Sequence, residues 1–439
     1  MHMQIRRVLR LLLVLCLAWI VWSVLLRINF NYSMWVVTAA VPLILFMYNR
    51  KELDTIAKGI TLGLIVFVLF QYSLRFQANL ATPPEVDFVP LWIYERAVVL
   101  GLNPYDHASN MRLAHGIKLS EMVIEELNSF HPPHTMLLFA PLGLFDLHTA
   151  NRIWIVFLLI VIAIDICLIW YIFERKRGIT GMLFVSFLLL IPYATFMTVL
   201  FEQTIFIGFF MLLLYWINKK RTYSGIFLAM ATAIKPIFGI FFIYLIATKR
   251  WKHIVSMSLC FIAMTVAAYL LLGQDTFNTY LFNNTIINNA PADYFTETIN
   301  QSLLATIFRV TNASFVPSMA YFNVYFIFIG LALLLLTYII TRLRTLDDAS
   351  IYGLWMMLAL IVFPRTLIHY YAILVFPIFC IVKAKTPVML PYLLIPPYYL
   401  LSQIPFQAGF ISLALLYCAF LMRALLNVPD FRRTMRCKE

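Results

Sequence analysis

One acid of this sequence is well placed for chemistry at a membrane surface. Asp87 follows the apolar run Ile60 to Leu74 after a short polar stretch and stands directly before Phe88. A carboxylate at such a boundary can act as a general base towards a hydroxyl group of a substrate held at head-group level. The competing interpretation is structural, because Asp is also a favoured N-cap for a helix that begins at Phe88.

A lysine lies inside an apolar hairpin of the sequence. Lys235 is flanked by apolar residues on both sides, and a charge in the hydrocarbon costs about 2.5–3.5 kcal/mol or more, so it calls for an anionic partner. A phosphate group would supply one. The structural alternatives are an internal ion pair with Glu202 or Asp165, or a side chain that reaches out to the interface.

Three more basic side chains lie on the predicted outer side, where the membrane usually has few of them. Arginine and histidine suit a phosphate well, so this group also predicts anion binding. The alternative is pairing with an acid of the outer loops. The basic residues are Arg309, Arg365 and His369, and the acids considered are Glu85, Glu95 and Asp293.

Two histidines, His131 and His134, flank a pair of prolines. Two ligands fall short of the three or four that a metal site needs, and a proline-led helix entry explains the spacing equally well. The second polar loop is rich in amides beside aromatic rings, which suits a sugar, although turn-forming Asn explains much of it too. We expect neither metal nor cofactor. The amides are Asn283, Asn284, Asn288, Asn289, Asn300 and Gln301.

The composition excludes a soluble globular protein. Of 439 residues, 63% are hydrophobic and 12% charged, and the mean hydropathy is +0.87, whereas soluble domains carry about 25% charged residues. The net charge of +13 does not indicate nucleic acid, because Lys and Arg gather in short clusters between apolar runs, as cytoplasmic loops do. The six cysteines show neither a disulfide framework nor zinc spacing.

The basic clusters also predict the topology. Arg6 and Arg7 place the N-terminus in the cytoplasm, ahead of an uncleaved anchor helix. When the helices between them are counted, each later basic cluster falls on the same, cytoplasmic side. A first outer loop covers residues 75–134 and a second covers 273–315. The predicted helices are Val8–Leu26, Met34–Met47, Ile60–Leu74, Asn151–Phe173, Thr180–Leu200, Ile205–Ile217, Gly225–Ile234, Ile237–Ala247, Ser256–Leu272, Val316–Ile340, Ile351–Phe363, Leu374–Val382, Val388–Leu401 and Phe406–Met422.

One pair of these helices has to form a hairpin. Gly225–Ile234 and Ile237–Ala247 both adjoin basic clusters, and each limb spans only about 15 Å, half of the hydrocarbon core. The Lys235-Pro236 turn is therefore expected at depth, or else to be reached by tilted, extended limbs, with the proline ending the first limb. The sequence shows no internal repeat, and its polar residues are concentrated on the outer side, so chemistry is expected there.

The ordered motifs resemble glycosyltransferase family 87 of the GT-C superfamily. The resemblance covers most of the chain after Leu74. It rests on Asp87-Phe88 with Tyr94 and Ala97, Gly101-x-Asn103-Pro104-Tyr105, Pro132-Pro133 with Pro141-Leu142, Ala150 and Trp154, Gln203, Gly225 to Lys235-Pro236 with Arg250-Trp251, Asn300-Gln301-Ser302-Leu303 with Arg309, and His369-Tyr370. The sequence departs from the family in Glu202, where glycine is usual, and in its two N-terminal helices (residues 1–50).

The resemblance implies an all-α polytopic fold: a single GT-C-like domain over residues 1–439, with about 12 to 14 transmembrane or re-entrant helices and juxtamembrane helices in the outer loops. It implies an inverting hexosyltransferase, mannosyl-transferring in similar members. A polyprenyl-phosphate sugar is the donor and a lipid or glycan is the acceptor, in cell-envelope glycan synthesis. The enzyme would lie in the plasma (inner) membrane with its site on the extracytoplasmic face.

The resemblance also implies residue roles. Asp87 corresponds to the catalytic base and His369 to a histidine beside the donor phosphate, which Lys235, Arg309 and Arg365 are expected to contact as well. Contacts to the substrate are expected from Tyr94, Tyr105, Gln203, Asn300 and Gln301. The rival from another class is a transporter or flippase of a lipid-linked saccharide, which would need no base at Asp87. A purely structural scaffold fits poorly with a buried lysine and polar outer loops.

Overall fold

A computed structural model describes residues 13–21, 44, 47, 54–83, 87–117, 119, 127, 131–283, 300–310, 319–383 and 408–426. Of the two predicted N-terminal helices, residues 13–21 are described and helical. The predicted helix Val388–Leu401, the acids Glu85 and Asp293, and most of the amide-rich second loop lie outside the described residues.

The helices are numbered here in chain order from residue 54. They are α1 Asp54–Ala81, α2 Phe88–Val99, α3 His107–Leu113, α4 Pro133–Phe139, α5 Leu147–Ile169, α6 Gly178–Leu190, α7 Tyr193–Leu200, α8 Ile205–Asn218, α9 Gly225–Ile234, α10 Phe241–Ala247, α11 Trp251–Asn278, α12 Leu303–Val310, α13 Met319–Leu343, α14 Asp348–Val362, α15 Val375–Lys383 and α16 Ala408–Leu426. A 3-10 segment, Ile368–Leu374, leads into α15.

The protein is an all-α polytopic membrane protein, as the composition predicts. Three helical stretches, Asp54–Ala81, Leu147–Leu190 and Trp251–Phe282, are long and apolar enough to cross a membrane, and several shorter apolar helices accompany them. No β-strand occurs in the described part of the chain, where the extended pairing is limited to one bridge between Asn300 and Leu367. Backbone groups in lipid are satisfied within helices, so this architecture suits a bilayer.

Two helices extend beyond their predicted ends. Helix α1 runs over 28 residues and reaches Ala81, and α11 reaches Asn278 with a kink at Gly273, whose φ is 81°. Helix α1 thus continues through the first seven residues of the predicted outer loop, 75–81. Hydropathy marks the part of a helix within the hydrocarbon core, whereas hydrogen bonding carries the helix on into the head-group region.

The predicted helix Thr180–Leu200 is divided into α6 and α7. Pro192 lies at the break with extended backbone, because a proline has no N–H to continue the ladder. The Thr195 hydroxyl donates to the Leu189 carbonyl across the break at 2.6 Å. The division turns α7 towards the segment that carries His369, whose carbonyl accepts a hydrogen bond from Thr198 Oγ1 at 3.1 Å.

The predicted hairpin is present. Helix α9 ends at Ile234, and Lys235 is extended with φ −140° and ψ 111°, as expected for a residue that precedes proline. Pro236 opens a 3-10 turn that leads into α10. Gly225 allows α9 to approach α11 closely, since a Cβ there would clash with the His253 carbonyl oxygen.

The two ends of the helix bundle differ in charge. At one end, called here the cationic end, Lys219 and Arg250 bind Asp348 at 3.3 and 3.6 Å, Arg423 binds Asp347 at 3.0 Å, and Lys383 binds Glu174 at 2.6 Å. Helices α8, α10 and α15 all run towards this end. Their opposite ends adjoin the segments that carry Gln203, Lys235 and His369.

A buried acid in α5 allows a stability prediction. Asp165 is fully buried, and neither carboxylate oxygen has a hydrogen-bond partner among the described residues. An unpartnered buried polar group costs about 1–3 kcal/mol, so Asp165→Val is expected to raise stability by that amount. The melting temperature in detergent, followed by tryptophan fluorescence, measures the change. Asp165→Asn, which keeps a polar group there, is the control, and a lower melting temperature for Asp165→Val than for wild type would contradict the expectation.

Candidate functional site

The Lys235 ammonium joins three parts of the chain that the sequence analysis singled out separately. Its Nζ donates to Gln203 Oε1 at 3.2 Å and to the Tyr370 hydroxyl at 3.3 Å, and it lies 4.9 Å from the centre of the Tyr370 ring. Lys235 is 8% exposed. Both hydrogen-bond partners are neutral, so a buried positive charge is held in place without being neutralised by them.

Neither ion pair considered for Lys235 is formed. Glu202 accepts from Asn79, and the Asp165 oxygens have no partner in the described part of the chain. Since a buried cation without a carboxylate is costly, these contacts favour a ligand that brings negative charge. Lys235 keeps its place as a predicted phosphate contact.

His369 lies beside Lys235. It is 3% exposed, its ring meets the Tyr370 ring edge-on at 4.7 Å, and the charges of Lys235 and Arg365 both act on it. Within the described residues, His369 Nε2 is buried without a hydrogen-bond partner. The structure thus brings together three of the four predicted phosphate contacts. Arg309 is in α12, and its side chain lies outside the described part.

Asp87 stands at the N-cap position of α2 but makes no capping hydrogen bond with its side chain. The helix begins at Phe88 as predicted. Asp87 therefore occupies the N-cap position that the structural interpretation gave it, but its side chain does not perform the capping. An acid that caps a helix accepts from the N–H groups of the first turn. Because that contact is missing, the cap does not account for the Asp87 carboxylate.

Asp87 lies near a second carboxyl group. Burial, followed in order of effect by an opposing hydrogen bond from Asn79 and by the negative charge of Asp87, brings the pKa of Glu202 to about 8. Glu202 immediately precedes Gln203, the residue that holds Lys235. The turn between α7 and α8 therefore connects the Asp87 carboxylate to the Lys235 and His369 cluster.

Glu202 is held by a polar network that sequence reasoning did not anticipate. Its Oε1 accepts from Asn79 Nδ2 at 2.9 Å, and its carbonyl accepts from Trp154 Nε1 at 2.9 Å. Asn151 Nδ2 in turn donates to the Asn79 carbonyl at 2.8 Å. The signal was present, since Asn79 and Asn151 are polar residues at the ends of apolar runs.

The backbone explains why glycine suits the position of Glu202. Its φ is 56°, a left-handed conformation that a side chain disfavours and glycine adopts freely. A glutamate that keeps this conformation is held there by its own hydrogen bonds.

The raised pKa of Glu202 predicts a pH dependence of stability. Folded Glu202 stays protonated up to about pH 8, against a reference value of 4.5, so between these values the folded state binds more protons than the unfolded state. The stability contributed by the bound proton is fully present below pH 4.5 and is lost as the pH rises to about 8. The loss is at most about 1.4 kcal/mol per pH unit. Glu202→Gln keeps the acceptor for Asn79 and removes the titration. The melting temperature of wild type is therefore expected to fall relative to this variant across that pH window, and parallel curves would contradict the assignment.

The predicted substrate tyrosines lie in the small core of the first outer loop. Tyr105 donates to the His131 carbonyl at 2.6 Å and packs on Tyr280 with ring centres 5.3 Å apart. Tyr94 is 4% exposed in the same cluster. Asn103 Nδ2 donates to Thr279 Oγ1 at 3.0 Å. The Gly101 to Tyr105 motif thus fastens the loop to α11, and contact of Tyr94 and Tyr105 with substrate stays a prediction.

Both histidines of the first loop have a lowered pKa. Burial and the charge of Lys235 lower the pKa of His131 to about 3, and burial lowers the pKa of His134 to about 4. Both imidazoles are therefore neutral at neutral pH. Among the residues that the structure describes, no group of three or more His, Cys, Asp or Glu side chains is arranged to hold a metal ion.

Asn300 and Gln301 form hydrogen bonds with the segment that carries Arg365 and His369. Asn300 Nδ2 donates to the Pro364 carbonyl at 3.3 Å, and the Gln301 N–H donates to the Thr366 carbonyl at 2.7 Å. The Tyr371 hydroxyl donates to the Gln301 carbonyl at 2.9 Å. The Asn300 side chain and the Gln301 backbone thus hold the segment with Arg365 and His369 in place, and direct binding of a sugar by these two residues stays a prediction.

Glu95 is not the outer-loop acid that pairs with the cations. It is fully buried, and both of its carboxylate oxygens lack a hydrogen-bond partner in the described part of the protein. Burial raises the pKa of Glu95 well above its usual value, which disfavours the charged form that an ion pair needs.

The described residues thus form a polytopic helical membrane protein in which the buried Lys235 ammonium is held by Gln203 and Tyr370. The model of glycosyltransferase family 87 matches residues 130–364, more than half of the chain, and the chain belongs to this family. It is therefore a glycosyltransferase. No curated protein and no solved structure matches it. The matched span contains Gln203 and Lys235, whereas Asp87 precedes it and His369 follows it.

Proposed function

We propose that this glycosyltransferase moves a hexosyl residue, mannosyl in the first instance, from a polyprenyl-phosphate donor to a hydroxyl group of a lipid or glycan acceptor. The reaction proceeds with inversion, and Asp87 is the general base. The main support for the proposal is the Glu202-Gln203 turn, which links the proposed base to the proposed phosphate site. The negative charge of Asp87 contributes to the raised pKa of Glu202, and Gln203 accepts a hydrogen bond from Lys235.

The leaving group explains why one carboxylate is enough. A sugar on a lipid phosphate departs as a phosphate anion that needs no proton, unlike the alkoxide that a glycosidase must protonate with a second acid. The acceptor hydroxyl forms the new bond to the anomeric carbon, the bond from that carbon to the phosphate oxygen breaks, and the hydroxyl proton passes to Asp87.

The negative charge that develops on the phosphate is stabilised by the positively charged side chains at and near Lys235. Lys235 lies in a buried site, where an electrostatic contact is stronger than in water. Gln203 and Tyr370 hold its ammonium in place before the substrate arrives, so little reorganisation accompanies the reaction. Arg365 adds a second positive charge from the segment that also carries His369. Burial and the charges of Lys235 and Arg365 lower the pKa of His369, so its imidazole would contact the phosphate as a neutral hydrogen-bonding group.

The charge difference between the two ends of the bundle supports an assignment of the membrane side. Lys219, Arg250, Lys383 and Arg423 gather at the cationic end, which the positive-inside rule assigns to the cytoplasm. Asp87 and Lys235 belong to the opposite end. We therefore assign the proposed site to the extracytoplasmic side of the plasma (inner) membrane.

Transfer from defined donors tests the proposal. Purified protein is incubated with a panel of radiolabelled polyprenyl-phosphate sugars and membrane extract, and labelled product is separated from donor. Transfer from the mannosyl donor, with none from the matching nucleotide sugar, is the expected result. Donor translocation across a vesicle membrane without transfer from any donor would instead favour the transporter, which needs no base.

A further inference from the structure

The cationic end contains a cavity that the proposed reaction does not use. It has a volume of about 570 Å³ and lies where α10 meets α11 and α13 meets α14. Its charged lining is Lys249, Arg250, Arg342, Arg344, Asp347 and Asp348.

The carboxylates of this cavity are already engaged. Asp348 binds Lys219 and Arg250 at 3.3 and 3.6 Å, and Asp347 binds Arg423 at 3.0 Å. Within the described residues, Lys249, Arg342 and Arg344 make no ion pair. The cavity thus keeps a surplus of positive charge, and these three side chains supply the donors that bind a phosphate oxygen.

Two of the cations sit where glycine would be easier. Lys249 has a φ of 58° and Arg344 a φ of 52°. Lys249 occupies the left-handed position of a helix C-cap in which its N–H donates to the Ile246 carbonyl and the Arg250 N–H donates to the Leu245 carbonyl. Glycine is the usual residue there. Local structure therefore does not explain a long cationic side chain at either position.

An apolar surface leads to the mouth of the cavity. Leu331, Leu335, Ile339 and Leu343 follow each other at intervals of four residues along α13 and are 56%, 59%, 44% and 60% exposed. This spacing places them on one face of the helix, which ends beside Arg342 and Arg344. Trp251, 60% exposed, flanks Arg250 as aromatic residues do at a membrane interface.

We infer that this cavity binds a phosphate-bearing anion, and the apolar face of α13 points to a membrane lipid whose head group enters the cavity while its acyl chains lie along that face. Basic pockets between transmembrane helices are suited to anionic head groups. The inference concerns the end of the bundle opposite Asp87 and is independent of the proposed donor.

Native mass spectrometry of the full chain tests the site with phosphatidylglycerol, phosphatidylcholine and inorganic phosphate as probes. The double variant Arg342→Gln/Arg344→Gln is expected to lose phosphatidylglycerol occupancy by about tenfold or more, since each cation near a head group contributes a severalfold change in binding. The matched control is Lys220→Gln/Arg221→Gln, which removes two exposed cations at the same end but outside the cavity. Equal losses in both variants, or equal occupancy by the two lipids in wild type, would overturn the inference.

The source of the phosphate is decided by competition. If excess inorganic phosphate displaces phosphatidylglycerol, the cavity recognises the phosphate group from either source. If the lipid stays bound, the cavity with the α13 face is a lipid site.

A second variant separates binding from stability. Lys249→Gly/Arg344→Gly places glycine at both positive-φ positions, so the melting temperature is expected to hold or rise while lipid occupancy falls. A lower melting temperature with unchanged occupancy would show that the two cations serve the fold and would refute the site.

Discussion

Asp87→Asn is expected to lower the rate of glycosyl transfer by about 10²- to 10⁴-fold, the contribution typical of a positioned general base. The amide cannot take the proton of the acceptor hydroxyl. Because asparagine has nearly the same size and shape as aspartate and is an equally favoured N-cap, the change should leave α2 and the fold intact. Donor binding should be retained, since the proposed phosphate contacts lie on other segments. Single-turnover transfer from radiolabelled donor measures the rate, and equilibrium binding of the same donor measures affinity.

Asp106→Asn is a matched control in the same loop. Asp106 is also an N-cap, but its side chain does cap, accepting from the Ser109 N–H at 3.1 Å and the Ser109 hydroxyl at 2.5 Å. The control should lose a little stability and keep its transfer rate. Full transfer by Asp87→Asn would remove Asp87 as the base, and equal losses in both variants would assign the effect to loop structure.

The sequence was sufficient for the class of fold, because hydropathy and the distribution of Lys and Arg report directly on the bilayer. It also predicted the hairpin at Lys235, since Pro236 leaves few conformations to the residue before it. Motifs distant in the chain, such as Gln203 and His369-Tyr370, were assigned to one site by resemblance, and the structure brings them into contact around one ammonium group.

The contacts of individual side chains could not be predicted. Spacing alone does not show whether Asp87 caps its helix, because capping depends on the rotamer and on neighbours such as Glu202 that are remote in sequence. The amides Asn300 and Gln301 have the composition of a sugar site, yet their contacts order the segment with His369. The network of Asn79, Glu202 and Trp154 joins three helical regions, and no local pattern predicts such an encounter.

Lys235→Met is expected to raise the KM for the polyprenyl-phosphate donor by about 10- to 100-fold, because a hydrogen bond to a charged group is worth about 1.5–3 kcal/mol. Methionine fills nearly the same volume and removes the charge from its buried position. If Lys235 stabilised the fold, its replacement would lower the stability of the protein. If Lys235 serves to bind a substrate phosphate, its replacement leaves stability unchanged or raises it, since burial of an uncompensated charge is costly. The combination of weaker donor binding and an unchanged or raised melting temperature is therefore specific for the substrate role.

Lys219→Met is the matched control at the cationic end, where Lys219 binds Asp348 at 3.3 Å. It removes one positive charge from the same protein, far along α8 from Gln203, and should leave the donor KM unchanged. An equal rise of KM in both variants would indicate a general effect of charge on the lipid substrate. A lower melting temperature of Lys235→Met with normal donor KM would mean that Gln203 and Tyr370 hold the ammonium for the fold. Only loss of donor affinity confined to Lys235 agrees with a donor phosphate that is bound by this lysine.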